Sequence, residues 1–419
     1  PSAIVRIEVA AAARLGDGPA DCRPILALTG DRDLSVSLTA VDSLGSGCAD
    51  NAGAIRVLRK LAMGGREAGV PDHRWQMSAH ALLALARFDA AGVRALLAKS
   101  ARAERPEVRA YAARAAALAD DRPALLQLAR DRDRNVQEAA ITGLAATAGH
   151  DADTVFLRGL SSSGHQVALA AAEALKGTTR PDAVDSLLAA LARLSAARSE
   201  NARDPRLSML ARIGELGSAA DGSRLEPYLA DYDTAVAQLA AATLARWRAA
   251  AIDPRAAPLA IRPEPLAAVF LRDGTRLRVT MSPASGGGSF TVRLFPREAP
   301  ATVARVLRLA RQGWYDGKAF QRVEPNFVIQ GGGPDANEYV GDDAFMRDEL
   351  TARTHARGTL GISARGRDTG DGQWFINLVD NPLLDHEYTV FGRIETGQAV
   401  VERILEGDRI GRVIVEAGQ

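Results

Sequence analysis

Along residues 1–250, apolar side chains recur at i, i+4 and i+8, and the triplet restarts roughly every 28 to 40 residues. The triplets are Val5/Val9/Ala13, Val36/Ala40/Leu44, Trp75/Ala79/Leu83, Val108/Ala112/Ala116, Val136/Ala140/Leu144, Val167/Ala171/Leu175 and Val236/Ala240/Leu244; Leu207/Ala211 fills the first two places of another. This spacing sets three side chains on one helix face, and the alanine usual in the middle lets a neighbouring helix come close. Three residues before the anchor stands Asp33, Asp72, Asp133, Asp204 or Asp233, with Ser2 in the first case. An oxygen there accepts hydrogen bonds from the free N–H groups of a first turn, so periodicity and capping predict the same helix starts. Apolar stretches around Leu26, Leu58, Leu126 and Leu188 predict a second helix between these. The predicted unit is therefore helix, short turn, helix. The polar inserts GGREAGVPDHR and SAARSENARD fall in turns, where extra residues cost little.

The pattern changes near residue 250. Pro254, Pro258, Pro263 and Pro265 follow closely on one another. Proline lacks an N–H and its ring obstructs a helix, so residues 251–266 are predicted to be a semi-stiff linker. Beyond it, β-type alternation begins with AAVFLRDG, TRLRVTMS and SFTVRLFP, and Gly286–Gly288 is predicted to be a hairpin loop. PATVARVLRLARQ is an amphipathic helix, and a helical stretch is expected at Gly397–Glu406. Residues 267–419 are thus expected to form a closed β-barrel with flanking helices, behind an all-α solenoid in a multidomain chain.

The 1–250 pattern lacks the Trp, Leu-Gly and Tyr of tetratricopeptide repeats and the Thr-Pro-Leu-His of ankyrin. It resembles HEAT repeats in a short form. That resemblance implies a binding surface or spacer, with a protein partner on the solenoid. His73 and His80 lie seven apart beside one helix and are read as a cap-region residue and a core or surface residue, not as a metal pair.

The chain of 419 residues carries 52 basic and 51 acidic side chains, a net charge of +1. Such a balance argues against nucleic acid or a membrane surface as main partner. No apolar run reaches the roughly 18 residues of a membrane span. Arginine far outnumbers lysine, and alanine and glycine are abundant, which suggests a GC-rich bacterial genome. Cys22 and Cys48 are too few for a disulfide scaffold or a zinc site, and whether they pair is left open. The chain starts with Pro1 inside a repeat, so the compartment stays open as well.

Two segments carry the chemistry. Residues 320–332 read FQRVEPNFVIQGG, and residues 373–392 read QWFINLVDNPLLDHEYTVFG. Each is an apolar and aromatic run with a few fixed polar groups: Arg322, Gln330 and Gln373. Neither holds a serine or cysteine nucleophile, a metal-ligand cluster or a carboxylate pair. A cation, amides and an apolar floor bind an uncharged ligand and polarise it. No metal or cofactor is expected.

About residues 275–416 resemble a cyclophilin, a peptidyl-prolyl cis-trans isomerase. Three blocks carry the resemblance in the right order. The pattern F-H-R-V-x-x-x-F-x-x-Q-G-G is matched by Phe320, Gln321, Arg322, Val323, Phe327, Gln330, Gly331 and Gly332. S-Q-F-F-I is matched by Gly372, Gln373, Trp374, Phe375 and Ile376, and L-D-x-x-x-x-V-F-G by Leu384, Asp385, Tyr388, Val390, Phe391 and Gly392. The resemblance implies that Arg322 is the catalytic cation, acting with Gln330 and Phe327. It implies that Phe327, Val328, Phe375 and Leu384 form the floor and walls of a proline pocket. Gln330 and Gln373 would hold substrate polar groups, Ser363, Ala364 and Arg365 would line the bound peptide, and Tyr388 takes a place where animal members often have histidine.

This chain departs from the pattern in several places. Gln321 replaces a histidine, and Ile362–Ser363–Ala364–Arg365 replaces M-A-N-A, putting a charge at the pocket rim. Leu383 stands where cyclosporin-sensitive members carry tryptophan, which puts drug sensitivity in doubt. Residues 334–347 differ from the family's glycine-rich loop and are expected to be a solvated loop without a calcium site. The favoured reading is a rotamase, with a chaperone-like role in protein folding, that acts on proline-containing polypeptide clients brought by the helical arm. The alternative is a non-catalytic proline-peptide reader in which the solenoid is the working surface. Export to a bacterial periplasm is preferred over the cytoplasm.

Overall fold

The computed structural model describes residues 2–12, 22–48, 51–64, 75–260 and 274–416. By internal contacts the chain divides into two compact units, Pro1–Leu96 with Pro263–Gln419, and Leu97–Arg262. Ala13, Asp72, His73, Pro263, Pro265 and the AAVFLRDG segment up to residue 273 lie outside the described residues.

The helices follow in pairs. In the first unit they are α1 Ala3–Ala12, α2 Cys22–Leu28, α3 Leu34–Gly47, α4 Ala52–Ala62 and α5 Trp75–Ala86, with α6 Ala90–Ser100 at its boundary. The second unit contains α7 Pro106–Leu118, α8 Arg122–Leu128, α9 Arg134–Thr147, α10 Asp153–Gly159, α11 His165–Ala174, α12 Ala183–Ala196, α13 Arg203–Leu216, α14 Gly222–Leu225 and α15 Thr234–Arg248. Alternate helices pack side by side: α1 on α3 on α5 in one unit, and α7, α9, α11, α13 and α15 in the other. Small residues permit this. A Cβ on Gly45 of α3 would lie 2.7 Å from Ala84 of α5.

The triplets Val36/Ala40/Leu44, Val136/Ala140/Leu144, Val167/Ala171/Leu175 and Val236/Ala240/Leu244 are all buried. Two others have the wrong register. In α1, Ile7 and Ala10 are buried while Val5 and Val9 are about half exposed. In α13, Arg206, Leu210 and Ile213 face inward instead of Leu207 and Ala211. Asp33, Asp133 and Asp233 cap their helices as expected, each accepting from the backbone N–H groups two and three residues on. Asp204 does not; it lies inside the first turn of α13.

A recurring clip was not legible in the periodicity. Two residues before each capping aspartate stands another, Asp31, Asp131 or Asp231, that accepts the N–H of the capping residue at 2.8, 2.8 and 2.7 Å. Each also pairs with an arginine of a preceding helix: Arg6 to Asp31 at 2.7 Å, Arg109 to Asp131 at 2.7 Å and Arg206 to Asp231 at 2.6 Å. Cys22 and Cys48 pair as a disulfide that joins the start of α2 to the residue after α3. After α15 the chain runs without helix or strand to residue 260, and the N–H groups of Arg255 and Ala257 donate to Leu229 O and Asp231 O, just before α15.

The remainder of the first unit is a curled antiparallel sheet of eight strands: β1 Arg276–Met281, β2 Ser289–Leu294, β3 Phe320–Val323, β4 Val328–Gly331, β5 Thr359–Ile362, β6 Trp374–Asn377, β7 Val390–Thr396 and β8 Ile410–Glu416. Their order is β3-β4-β6-β5-β7-β2-β1-β8. The two ends of this order approach one another, because Ala319 bridges Arg409, Ile410 N donates to Lys318 O and Phe320 N donates to Asp408 O. Alternation along β1 and β2 sends Leu277, Val279, Phe290 and Val292 inward, where they meet Phe320, Ile329, Leu360, Trp374 and Phe391. The helix α16 Pro300–Arg311 packs on β8 and adds Val303, Val306 and Leu307 to this core. The Gly286–Gly288 loop turns between β1 and β2 with all three φ angles positive. The late helix is shorter than expected, Gln398–Val401.

Candidate active site

Strand register brings the two chemical segments together. Arg322 of β3 faces Gln330 of β4, Gln330 faces Phe375 of β6, and Phe375 faces Gly361 of β5. Directly opposed residues share a face of a sheet, so these four positions form one row. Gly361 is what lets the row close: a Cβ there would lie 2.3 Å from the Phe375 ring. The ring therefore lies over the β5 backbone, and only glycine leaves it room.

β3 and β4 are joined by a tight turn. Asn326 holds it with φ +58°, a left-handed conformation that asparagine tolerates better than most residues. Phe327 N donates to Glu324 O at 3.0 Å, and Phe327 O accepts from Leu378 N and from Asn381 Nδ2. This fixes Phe327 beside Arg322, whose guanidinium carbon stands 5.8 Å from the ring centre. The Arg322 side chain is 44% exposed and its guanidinium pairs with Glu324 at 2.7 Å. It is thus a restrained cation at the edge of an aromatic surface, open to an incoming ligand.

Behind this surface Gln330 and Gln373 are buried and hydrogen-bonded. Gln330 donates to Ser363 Oγ at 2.8 Å. Gln373 is buried; its Nε2 donates to Val340 O and its Oε1 accepts from Gln321. Its amide is therefore engaged within the protein and braces the 334–347 segment. Val328 is buried at the start of β4. Ala364 and Arg365 follow β5, half-buried, and Arg365 reaches over the Tyr339 and Phe345 rings. Leu384 is half-buried in a short turn of helix, and its neighbour Leu383 is 91% exposed.

Phe375 is clamped from both sides. His355 stacks on it with ring centres 5.6 Å apart, and Tyr388 meets it edge-on at the same distance. His355 is buried, takes a hydrogen bond from Asn377 Nδ2 on Nδ1 at 3.2 Å and lies 3.3 Å from Tyr388 O through Nε2. Burial holds its pKa below the ordinary imidazole value, against the pull of Tyr388 O and Asp385, so the ring is neutral at pH 7. His355, Asn377 and Gly361 escape sequence reasoning, although Asn377 ending the apolar run of β6 is a signal, since a polar group there needs a buried partner.

The 334–347 segment is an irregular loop with Pro334, Glu338, Asp343 and Arg347 exposed, but the Asp342 side chain turns inward between Arg305 at 3.0 Å and Arg308 at 3.4 Å. Beyond it, Asp371 lies 3.4 Å from Arg365. Burial pushes the Asp371 carboxyl up to about 6, with Arg365 acting the other way. Among the described residues no group of three or more His, Cys, Asp or Glu is placed to hold a metal, and no helix is long and apolar enough to cross a membrane.

Comparison with known proteins agrees with this geometry. The sequence profile described as "Cyclophilin type peptidyl-prolyl cis-trans isomerase/CLD" matches residues 278–416. A peptidyl-prolyl cis-trans isomerase of Helicobacter pylori is 38% identical over 131 residues, covering 30% of this chain and 81% of that protein. Peptidyl-prolyl cis-trans isomerase B of Bacillus subtilis is 37% identical over 132 residues, covering 31% and 92%. Peptidyl-prolyl cis-trans isomerase ppi1 of Schizosaccharomyces pombe is 36% identical over 122 residues, covering 28% and 79%. With an eight-stranded curled sheet, a cation beside an aromatic surface and relatives matched over most of their length, this chain belongs to the cyclophilin-type peptidyl-prolyl cis-trans isomerase family.

Proposed function

We propose that Arg322 is the cation that accelerates rotation about X-Pro bonds, and that Phe327, Phe375 and Leu384 grip the proline ring. An amide resists rotation by about 18–20 kcal/mol because of its C–N double-bond character. Twisting the bond localises the lone pair on the proline nitrogen. A guanidinium donating to that lone pair binds the twisted state more strongly than the planar one, which lowers the barrier. No proton is transferred and no covalent bond is made. The neutral His355 and Tyr388 hold Phe375 still, so the ring provides a fixed wall while the rest of the peptide turns. Ser363, Ala364 and Arg365 would pair with the extended peptide. The observation that carries this reading is the row Arg322–Gln330–Phe375 beside Phe327.

On this reading the repeats form a HEAT-like solenoid, the helical arm spans about 1–250, a proline-rich connection spans 251–266, and the isomerase region spans 267–419. The arm would select polypeptide clients, in a folding role. The Cys22–Cys48 disulfide supports an oxidising compartment such as a bacterial periplasm. The test is refolding of a protein whose slow phase is limited by an X-Pro bond, with the full chain added in catalytic amount and no metal or nucleotide. The slow phase should speed up in proportion to enzyme. Binding of proline peptides without acceleration would instead support a non-catalytic reader.

A further inference from the structure

β3, the strand that carries Arg322, stands at one end of the strand order with β4 as its paired neighbour. Helices of the same compact unit reach both of its ends. Beyond the C-terminal end, in the turn before Phe327, Asn326 Nδ2 donates to Ile4 O at 3.2 Å and to Glu8 Oε1 at 2.5 Å, both in α1. Toward the N-terminal end, Gln76 Nε2 of α5 donates to Glu406 O at 3.0 Å. The two residues after Glu406 bond to the strand itself: Gly407 N donates to Phe320 O and Phe320 N donates to Asp408 O, each at 2.8 Å. α1 is held in turn, since Arg6 grips Asp31 through two hydrogen bonds of 2.7 and 2.9 Å.

We propose that Asn326 is a positioning residue of the isomerase and that Glu8 of α1 is its anchor, so that the N-terminal helices raise turnover even of a short peptide. The proposal deepens the function above and rests on it. Asn326 has two tasks. Its backbone supplies the left-handed conformation of the turn, at φ +58°. Glycine would supply that more easily, so the turn alone does not call for asparagine. Its amide supplies a donor that points away from the turn and onto α1. A carboxylate acceptor puts the bond to Glu8 in the stronger, charge-assisted class.

The turn couples this anchor to the cation. Phe327 N donates to Glu324 O across Asn326. Glu324 holds the Arg322 guanidinium at 2.7 Å, and the Phe327 ring centre lies 5.8 Å from the guanidinium carbon. A shift of the turn therefore moves both groups that flank the guanidinium. Leu378 N and Asn381 Nδ2 grip Phe327 O from the sheet side, and α1 grips Asn326 from the other. A cation fixed before the bond twists needs no reorganisation during the reaction. A misplacement of about 1 Å caused at a distance can cost on the order of a hundredfold in rate.

The test compares variants of the full chain on a blocked X-Pro tetrapeptide. Glu8→Ala removes the anchor, Glu8→Gln keeps an acceptor, and Asn326→Gly keeps the turn conformation without the amide. Glu8 is exposed, so its replacement spares the core. Glu8→Ala and Asn326→Gly should each lower kcat about fivefold with KM nearly unchanged, a coupling of the size found within one hydrogen-bond network. Glu8→Gln should recover most of the loss. The double variant should be no slower than either single one, because both cut the same link. Hydrogen exchange of the 320–331 amides should quicken in Glu8→Ala and not in Glu8→Gln, a readout independent of turnover. Unchanged kcat in Glu8→Ala, a Glu8→Gln as slow as Glu8→Ala, or losses that multiply in the double variant overturn the anchor. A wild-type chain that does not turn over the tetrapeptide overturns the isomerase reading instead, and unchanged exchange at 320–331 in Glu8→Ala would still overturn the anchor.

Discussion

Gly361 has no side chain, and the Phe375 ring occupies the space that one would fill. Gly361→Ala should push the ring off its place between His355 and Tyr388, since overpacking a tight site forces side chains from their rotamers at about 1–3 kcal/mol. The expected result is a loss of kcat/KM of about tenfold with the circular dichroism of the fold retained, because a displaced wall misplaces the reacting bond. Unchanged kcat/KM would mean that the ring position does not matter. His355 supplies a second prediction at this scale. Its folded pKa is depressed by burial, so the unfolded chain takes up the proton first as pH falls. The stability it lends is present above the ordinary imidazole value of about 6.5 and is lost as pH drops from there toward the folded value. The fall in thermal midpoint between pH 7 and pH 5 should be smaller in His355→Gln than in the wild type. An equal fall would assign the acid sensitivity to other groups. Neither residue was legible in the sequence, because a glycine within a strand and a lone histidine carry no spacing. Arg322 and Phe375 were legible only through their flanking motif.

Among the elements, the strands around the site follow from alternation and from the Phe320–Gly332 motif, whose Asn326 turn sets Arg322 opposite Gln330. The helices of the N-terminal region were legible where an aspartate cap and an apolar triplet agree, as at Asp133 with Val136, Ala140 and Leu144. The triplets failed where two apolar registers compete, Val5 and Val9 against Ile7 and Ala10 in α1, and Leu207 and Ala211 against Leu210 and Ile213 in α13. The arginine clips stayed hidden because each joins residues 22 to 25 apart. They make a test. Arg109 is 5% exposed, and its guanidinium is held by Asp131 and by the carbonyls of Ala103 and Glu104. Asp131→Ala strands that charge and should cost about 3 kcal/mol, whereas Arg109→Met/Asp131→Ala should recover part of the loss. Chemical denaturation followed by helix signal measures both. A single variant as stable as the wild type would show that the clip adds nothing.

For the whole molecule, the balance of charge argues against nucleic acid and a membrane surface as main partners, and the proline cluster falls in the sequence between helix α15 and the first strand, β1. What it did not mark is that α1 and α5 belong to the same compact unit as the curled sheet, since those contacts join residues more than 300 apart. Pairing of Cys22 with Cys48 was likewise undecidable from spacing alone. Unfolding the chain in denaturant without reductant should therefore release no reactive thiol, and release of two would remove the disulfide and the argument for an oxidising compartment. The central claim is that a single cation, Arg322, carries catalysis. Exchange spectroscopy on a blocked X-Pro tetrapeptide, with full-length wild-type chain and Arg322→Ala compared at equal concentration, tests it most directly. The wild type should speed cis-trans exchange, and the variant, folded by circular dichroism, should lose about a hundredfold or more of that acceleration, the usual effect of removing a donor aimed at a developing charge. Equal acceleration by the two proteins would contradict the account.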